Sequence, residues 1–257
     1  MAQTALITGA TSGIGEATAH ALAEEGYNLI LTGRRASRLR DLKHRLEDEY
    51  SIEALALGFD IRDRAQCEAS MEALPAEFRE IDVLVNNAGL ASGLDFLHAG
   101  DPNDWDAMID TNIKGLLYMT RMVSARMAAR GTGHIINIGS IAGTQPYLKG
   151  AVYAGTKHAV HAISQAMRAD LLGTGVKVTE IRPGMVETEF SIVRFHGDRE
   201  RAGEVYEGVT PLTADDVADA VCWALSRPAH VNIDEIMLTC TQQANAYYLH
   251  KNTESDN

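Results

Sequence analysis

The sequence has little positive charge. Its 257 residues include 23 Lys and Arg against 35 Asp and Glu, which gives a formal net charge of −12. This balance argues against binding of a nucleic-acid backbone through bulk electrostatics. Because the overall field repels anions, any anionic ligand must be held by local positive groups.

Cysteines and long apolar runs are also scarce. Cys67, Cys222 and Cys240 are odd in number, far apart and without a C-x-x-C spacing, so they predict buried thiols rather than a disulfide framework or a metal site. No apolar run approaches the ~20 residues of a membrane span. The first positive residue is Arg34, so we expect no signal peptide. We therefore predict a cytoplasmic protein that binds neither nucleic acid nor membrane.

Short apolar runs alternate with longer segments of helical period, which predicts a parallel sheet wrapped by helices, an α/β fold. The predicted strands are residues 4–8, 28–32, 53–58, 82–85, 134–138, 177–182 and 233–239. The predicted helices are residues 13–25, 36–50, 62–74, 103–129, 152–172 and 213–226. Thr213, followed by Asp216, has the hydroxyl of a helix start.

We expect a single domain over residues 1–248, since a chain of this length can form one large core. Residues 249–257 form a polar C-terminal tail that we expect to fray. Residues 187–210 are polar and contain three glycines, which predicts an irregular lid beside a functional site.

A glycine-rich turn follows the first predicted strand. Gly9, Gly13 and Gly15 stand where a strand ends and a helix begins. Glycines at such a turn let backbone amides approach a pyrophosphate at the helix N-terminus. The spacing is G-x-x-x-G-x-G rather than G-x-G-x-x-G, and the alternative is that these glycines only shape the turn.

Two arginines follow the second predicted strand. A dinucleotide without a 2′-phosphate usually meets an acidic residue about 20 residues beyond the glycines, at the end of the second strand. This chain has no acidic residue between that strand end and Asp41. Arg34 and Arg35 suit a phosphate instead, through forked hydrogen bonds, and Ser12 could donate another. These features predict NADP(H) as the cofactor. The alternative is that the arginines of this region form a solvated helix face.

A tyrosine and a lysine stand four residues apart on a predicted helix. Tyr153 and Lys157 therefore share one face, and Ser140 lies thirteen positions upstream of the tyrosine. A phenol beside a fixed positive charge ionises more easily and can exchange a proton with a substrate oxygen. Together with a hydride carrier, this pair predicts interconversion of an alcohol and a carbonyl without a metal. The alternatives are a surface pair on the helix and a turn or capping role for Ser140.

In order and spacing, the motifs resemble those of the short-chain dehydrogenases/reductases. They are the glycine turn with Thr8, Asn86-Asn87-Ala88-Gly89, Asn112, Ser140, Tyr153-x-x-x-Lys157 and Pro183-Gly184. The resemblance covers nearly the whole chain. It implies a single Rossmann-like, doubly wound parallel sheet of about seven strands with helices on both faces. It also implies a homodimer or homotetramer built through the helices predicted at 103–129 and 152–172.

The resemblance also implies roles for individual residues. Tyr153 would be the catalytic acid and base, with Lys157 lowering its pKa and holding the nicotinamide ribose. Ser140 would bond the substrate oxygen, and Asn112 would support a proton relay through water to Lys157. The implied cofactor-binding residues are Gly9, Thr11, Ser12, Gly13, Ile14, Gly15, Arg34, Arg35, Asp60, Ile61, Asn87, Tyr153, Lys157, Pro183, Gly184, Val186 and Thr188.

A closer resemblance concerns the substrate. Residues 84–90, 108–112, 190–198 and 228–233 are similar to a subgroup that contains NADPH-dependent sulfoacetaldehyde reductases and NADP-dependent 3-hydroxy acid dehydrogenases. We predict first the reduction of sulfoacetaldehyde to isethionate. The alternative is a 3-hydroxy acid dehydrogenase acting on serine, allo-threonine or 3-hydroxypropionate, and a more remote one is an NADP-binding sensor without catalysis.

Both substrate types carry an anionic head near the reacting carbon. Arg194, in the predicted lid, is the cation expected to bind that head beside Ser140 and Tyr153. The alternative is that Arg194 only pairs with Asp198 or Glu189. Secondary candidates for the pocket wall are Gln145, Tyr147 and Lys149. Residues expected to reach the site of a neighbouring subunit are Gln242, Gln243 and Tyr247.

Overall fold

Seven parallel strands form the centre of the molecule. The computed structural model describes residues 2–252. The strands are β1 (Thr4–Thr8), β2 (Asn28–Gly33), β3 (Ala54–Gly58), β4 (Val83–Asn86), β5 (Gly133–Ile138), β6 (Val176–Pro183) and β7 (Glu235–Leu238). Their order in the sheet is β3-β2-β1-β4-β5-β6-β7, and every neighbouring pair is parallel. The chain thus leaves β1 in one direction and returns through β4 on its other side, which confirms the doubly wound sheet.

Helices cover both faces of the sheet. They are α1 (Gly13–Glu24), α2 (Ala36–Glu49), α3 (Arg64–Glu72), α4 (Pro102–Ile109), α5 (Leu116–Arg130), α6 (Ala151–Asp170), α7 (Phe190–Arg194), α8 (Arg199–Glu204) and α9 (Ala214–Leu225). Thr213 caps α9 in a capping box with Asp216, as the sequence predicts. None of the described helices combines the length and apolar character needed to cross a membrane.

The alternation of side chains along β1 creates two separate cores. Ile7 faces one cluster, to which α1, α2 and α9 contribute Leu22, Leu39 and Val217. Leu6 faces the other cluster, to which α3, α5 and α6 contribute apolar side chains such as Met71, Val123 and Val160. Because both faces are buried, the strands read as continuous apolar runs rather than as alternating ones. The two cores hold the strand ends in place, and the candidate site is built at those ends.

The structure differs from the sequence predictions in three places. The helix predicted at 103–129 is interrupted by a π-helical segment, Asp110–Gly115, between α4 and α5. The predicted lid is not wholly irregular, since it contains α7 and α8. In the tail, the Asn252 amide donates to Gly208 O and the His250 amide to Gln242 O. Fraying is therefore wrong for residues 249–252, and residues 253–257 lie outside the described part.

Candidate active site

A cavity of about 530 Å³ opens at the carboxyl ends of the central strands. This edge is where ligands bind in doubly wound sheets, because the connections from β1 and β4 lead away in opposite directions and leave a crevice. The glycine turn, the ends of β4, β5 and β6, and the first half of the predicted lid all line it. The cavity brings together nearly all residues that the sequence singles out.

The glycine turn has the backbone shape that its sequence predicts. Gly9 and Gly13 have φ of +68° and +56°, in the left-handed region that favours glycine. A Cβ on Gly15 would collide with Gly9 O and with the side chain of Asn87. Ser12 precedes α1 without capping it through its side chain, and the first residues of this 12-residue helix line the cavity. An anion such as a pyrophosphate fits there.

Asn87 stabilises that turn rather than acting alone. Its Nδ2 donates to Thr8 O at 2.9 Å and to Gly9 O at 3.1 Å. The Thr8 hydroxyl in turn accepts the amides of Asn87 and Ala88, each at 3.0 Å. The loop after β4 is therefore fixed against the loop after β1, and Asn87 also lines the cavity, as predicted.

The arginines at the end of β2 form a positive corner of the cavity. Arg35 donates from Nη2 to the hydroxyls of Ser12 and Thr11, each at 2.7 Å. Arg34 also lines the cavity but is exposed. The guanidinium of Arg35 thus lies beside the glycine turn, and the interpretation as a solvated helix face does not apply to it. This corner has the donors that a 2′-phosphate requires.

Glu189 closes the same corner, which the sequence did not predict. Its carboxylate accepts from Arg35 Nη1 at 2.7 Å and from Arg38 Nη1 at 2.9 Å. The hydrogen bonds from Arg35 and then Arg38 lower the pKa of Glu189 to about 2, so this carboxylate is charged at neutral pH. The interpretation that pairs Glu189 with Arg194 is wrong, because the two arginines at positions 35 and 38 take both carboxylate oxygens.

Asp60 and Ile61 line the cavity on the side of β3, as predicted. The Asp60 carboxylate accepts from Arg62 Nη2 at 2.6 Å, and this hydrogen bond lowers the pKa of Asp60. At the opposite end, Pro183, Gly184, Val186 and Thr188 follow β6 along the cavity wall. A Cβ on Gly13 would lie 3.1 Å from Thr188, so the lid segment begins directly against the glycine turn.

Tyr153 lies in the cavity with Ser140, Lys157 and Arg194. Burial raises the pKa of Tyr153, as does the nearby Tyr147, whereas a hydrogen bond from Ser140 and the charge of Arg194 lower it. Ser140 also accepts the Ala142 amide at 3.1 Å, so the capping role held open as its alternative is present. Its bond to the substrate oxygen stays a prediction.

Lys157 is buried and anchored to the end of β5. Its ammonium donates to Ile138 O at 2.8 Å and lies 6.0 Å from the centroid of the Tyr153 ring. Burial lowers the pKa of Lys157 to about 8, and the charge of Glu180 opposes this. The resemblance implies that Lys157 lowers the pKa of Tyr153. In the structure, Arg194 is the cation that lowers this pKa, and burial raises it overall.

Asn112, in the π-helical segment, ties three elements together. Its side chain exchanges two hydrogen bonds with the backbone of Leu90, each at 2.9 Å, and donates to Thr156 Oγ1 at 3.0 Å. A Cβ on Gly89 would lie 3.4 Å from Asn112 Oδ1 and 3.7 Å from Lys157 Nζ. Asn112 and Lys157 therefore face the same backbone, and the water relay between them stays a prediction.

Arg194 projects from the end of α7 towards Tyr153. Its guanidinium carbon lies 5.7 Å from the centroid of the Tyr153 ring, and Nη2 donates to Tyr147 Oη at 2.6 Å. Among residues 2–252, no ion pair joins Arg194 to a carboxylate, and Asp198 instead caps α8. The alternative that Arg194 only pairs with Asp198 or Glu189 is therefore wrong.

Other residues near the reacting end were predicted less well. Of the three secondary candidates, only Tyr147 lines the cavity, since Gln145 bonds the Ala246 amide and Lys149 lies over Phe96. Gln243 lines the cavity of its own chain and accepts the Met185 amide at 2.8 Å. Phe190, which the sequence did not single out, has its ring centroid 5.6 Å from that of Tyr153. No local pattern marks it, because the contact spans distant parts of the chain.

Comparison with known proteins gives consistent matches over most of the chain. A family model described as short chain dehydrogenase matches residues 3–198. The NADP-dependent 3-hydroxy acid dehydrogenase YdfG of Salmonella typhi is 51% identical over 96% of this chain and 98% of its own. Serine 3-dehydrogenase of Agrobacterium fabrum is 45% identical over 95% of this chain and 96% of its own.

Solved structures are similar as well. The closed form of a serine dehydrogenase complexed with NADP+ has a TM-score of 0.91 and 46% sequence identity, and the match covers 98% of this chain and 100% of that one. Serine dehydrogenase from Escherichia coli has a TM-score of 0.81 and 43% identity, over 94% of this chain and 100% of that one.

Proposed function

The chain belongs to the short-chain dehydrogenase family, and from that premise we propose that it interconverts a small 3-hydroxy acid and the corresponding carbonyl compound with NADP(H). It is an NADP-dependent oxidoreductase that acts on a hydroxyl group. The observation that carries the choice of substrate is the guanidinium of Arg194 beside Tyr153, in a protein whose net charge repels anions. The relatives that are 3-hydroxy acid and serine dehydrogenases support it.

The cavity fits NADP(H) at each end. The amides at the start of α1 would hold the pyrophosphate, and Arg35 with Ser12 would hold the 2′-phosphate. Asp60 and Ile61 would flank the adenine, with the segment from Pro183 to Thr188 along the nicotinamide. When bound, the nicotinamide supplies or accepts the hydride.

Tyr153 would carry the proton of the reaction. During oxidation the ionised Tyr153 Oη would take the hydroxyl proton of the substrate, while the hydride of the carbinol carbon goes to the oxidised cofactor and a carbonyl forms. In reduction the same phenol returns the proton. Ser140 would hold the reacting oxygen and stabilise negative charge on it. Because burial raises the pKa of Tyr153, its protonated form is the populated one at neutral pH, and this form acts as the acid in reduction.

Lys157 and Asn112 would support the proton transfer without contacting the reacting oxygen. The bond to Ile138 O fixes the Lys157 ammonium on the tyrosine side of the cavity. Asn112 bonds the backbone of Leu90, which follows β4, and the hydroxyl of Thr156 in α6. These bonds fix the wall of the cavity. We propose the relay through water from Tyr153 to Lys157 and Asn112 as the path by which the proton reaches solvent.

Arg194 would bind the carboxylate of the substrate. In a 3-hydroxy acid this group lies two carbons from the reacting carbon, and a guanidinium binds a carboxylate through paired hydrogen bonds. The sequence placed sulfoacetaldehyde first, but the comparisons lend that substrate no support and favour the hydroxy-acid alternative. Sulfoacetaldehyde stays a prediction and is an arm of the test.

Steady-state kinetics on a panel of substrates test the proposal. We expect NADP+ to be reduced with serine, allo-threonine or 3-hydroxypropionate, and NADPH to be oxidised with malonic semialdehyde. NAD+ should be a poor substitute, because Arg34 and Arg35 stand where an acidic residue would bind its ribose. Efficient turnover of sulfoacetaldehyde with none of the hydroxy acids would overturn the proposed substrate. Inactivity with the whole panel despite tight NADPH binding would favour the sensor.

We also propose that the chain forms a homo-oligomer, a dimer or a tetramer. Ile109 at the end of α4 and Leu117 in α5 are large apolar side chains exposed to about the same degree, 37% and 41%. Exposed apolar side chains on long helices suit a contact with a second copy.

A further inference from the structure

Glu189 occupies the positive corner that the cofactor's 2′-phosphate would use. Its two oxygens accept from Arg35 at 2.7 Å and from Arg38 at 2.9 Å. The remaining donors of Arg35 bond Ser12 and Thr11 in the glycine turn. A carboxylate and a phosphate dianion cannot both take the same guanidinium face without repelling each other. The same donors therefore have two possible anionic partners.

The position of Glu189 in the chain connects this corner to the reacting end of the cavity. The next residue, Phe190, packs against the ring of Tyr153 with centroids 5.6 Å apart. Arg194 follows one turn later in α7 and faces the same ring. Whatever holds or releases Glu189 therefore acts on the segment that carries two contacts of Tyr153.

We propose that Glu189 and the cofactor's 2′-phosphate exchange as the anion bound to Arg35 and Arg38, and that this exchange couples cofactor binding to the position of residues 188–194. The inference rests on the proposed use of NADP(H). It makes Glu189 a specificity-determining residue that opposes the 2′-phosphate, and not one that binds it.

The effect has a bounded size. The side chains of Glu189 and Arg35 are each 40% exposed, and that of Arg38 is 49% exposed. Ion pairs of this exposure are weakened by water and salt, so releasing two of them changes an affinity by about three- to tenfold. Competition of this size still permits NADPH to bind. It also keeps residues 188–194 held through Glu189 until the 2′-phosphate binds.

Titration calorimetry with 2′,5′-ADP tests the exchange. This probe carries the 2′-phosphate and lacks the nicotinamide, and 5′-AMP is the same molecule without the 2′-phosphate. The difference in affinity between the two therefore reports on the positive corner. We expect Glu189→Gln to bind 2′,5′-ADP about three- to tenfold more tightly than the wild type, with 5′-AMP affinity unchanged. Glu187→Gln is the matched control, because Glu187 is exposed, two residues away and outside the cavity, and loses the same charge.

Each other outcome counts against a defined part of the account. Unchanged or weaker binding of 2′,5′-ADP by Glu189→Gln would overturn the exchange and make Glu189 a residue that orients the arginines. Equal tightening in Glu187→Gln would reduce the effect to net charge and overturn it too. If the wild type bound 2′,5′-ADP no better than 5′-AMP, the proposed cofactor would fail together with the inference.

Hydrogen exchange tests the coupling to the lid segment. In the wild type, 2′,5′-ADP should speed the exchange of amides in residues 188–194, because it displaces Glu189 and the probe has no nicotinamide to hold the segment. 5′-AMP should cause no such increase in the wild type, and 2′,5′-ADP should cause none in Glu189→Gln. Unchanged or slower exchange in the wild type would overturn the coupling.

Discussion

At the scale of single residues, the reacting end of the site depends on two positive charges. Arg194 is the cation that faces Tyr153 from the substrate side, and Lys157 is the one anchored behind it. Each lacks a carboxylate within ion-pair distance in the described residues, so each keeps its charge available for a ligand. In a chain with a net charge of −12, the cations placed at this end of the cavity favour an anionic substrate there.

The role of Arg194 can be measured directly. Arg194→Gln should lower kcat/KM for a 3-hydroxy acid by about 10- to 100-fold, the worth of a charge-assisted pair of hydrogen bonds, mainly through a higher KM. Arg199→Gln loses the same charge from an exposed site in the lid and should stay near the wild type. Equal kcat/KM for the Arg194 variant and the control would show that the carboxylate binds elsewhere.

Sequence patterns predict residues whose partners are near in the chain. Tyr153 and Lys157 were found because four residues on a helix bring them to one face, and the glycine turn because its spacing is local. Glu189 was not found, since its partner Arg35 is 154 positions away and a lone glutamate in a polar segment has no distinguishing pattern. The sequence also does not predict that the pKa of Tyr153 is raised, because its burial depends on all the elements that line the cavity.

At the scale of elements, β5 and β6 bury a histidine that stays neutral. His134 is 5% exposed and lies beside Thr179, with Nε2 2.8 Å from Oγ1. Burial, and then the charge of Lys177, lower the pKa of His134 from 6.5 to about 3. In the unfolded chain His134 therefore becomes protonated below pH 6.5, whereas in the folded chain it stays neutral down to about pH 3.

This difference predicts a loss of stability in acid. Between pH 7.5 and pH 5 the free energy of unfolding should fall by about 2 kcal/mol on account of His134. In His134→Gln that share of the pH dependence should disappear, whatever the variant's stability at pH 7.5. Urea unfolding at both pH values measures it, with exposed His230→Gln as the control. An undiminished pH dependence in His134→Gln would contradict the account.

The observed boundaries of β1 and α1 agree closely with the predicted ones, because the period of apolar residues decides them. The observed and predicted boundaries differ where a side chain bonds the backbone. The periodic pattern predicts one helix over residues 103–129, whereas Asn112 reaches out to Leu90 and the chain widens into a π-helical segment there. Periodicity carries no information on such a bond.

At the scale of the whole molecule, the order of the strands creates the site. The strands alternate with helices, which predicts a parallel sheet, but nothing in their own sequences specifies β4 as the neighbour of β1. The family resemblance implied the doubly wound sheet, and the structure supplies the order. The site then follows, since the carboxyl ends of β1, β4, β5 and β6 bring the glycine turn, Asn87, Ser140 and Pro183 to one cavity.

The most direct measurement follows the hydrogen itself. The enzyme would oxidise 3-hydroxypropionate in which both hydrogens at C3 are deuterium, and mass spectrometry would locate the label in the cofactor. The account predicts one deuterium in each NADPH formed by the wild type, and turnover reduced by at least about a thousandfold in Tyr153→Phe with 2′,5′-ADP binding retained. NADPH without deuterium, or full turnover in Tyr153→Phe, would contradict it.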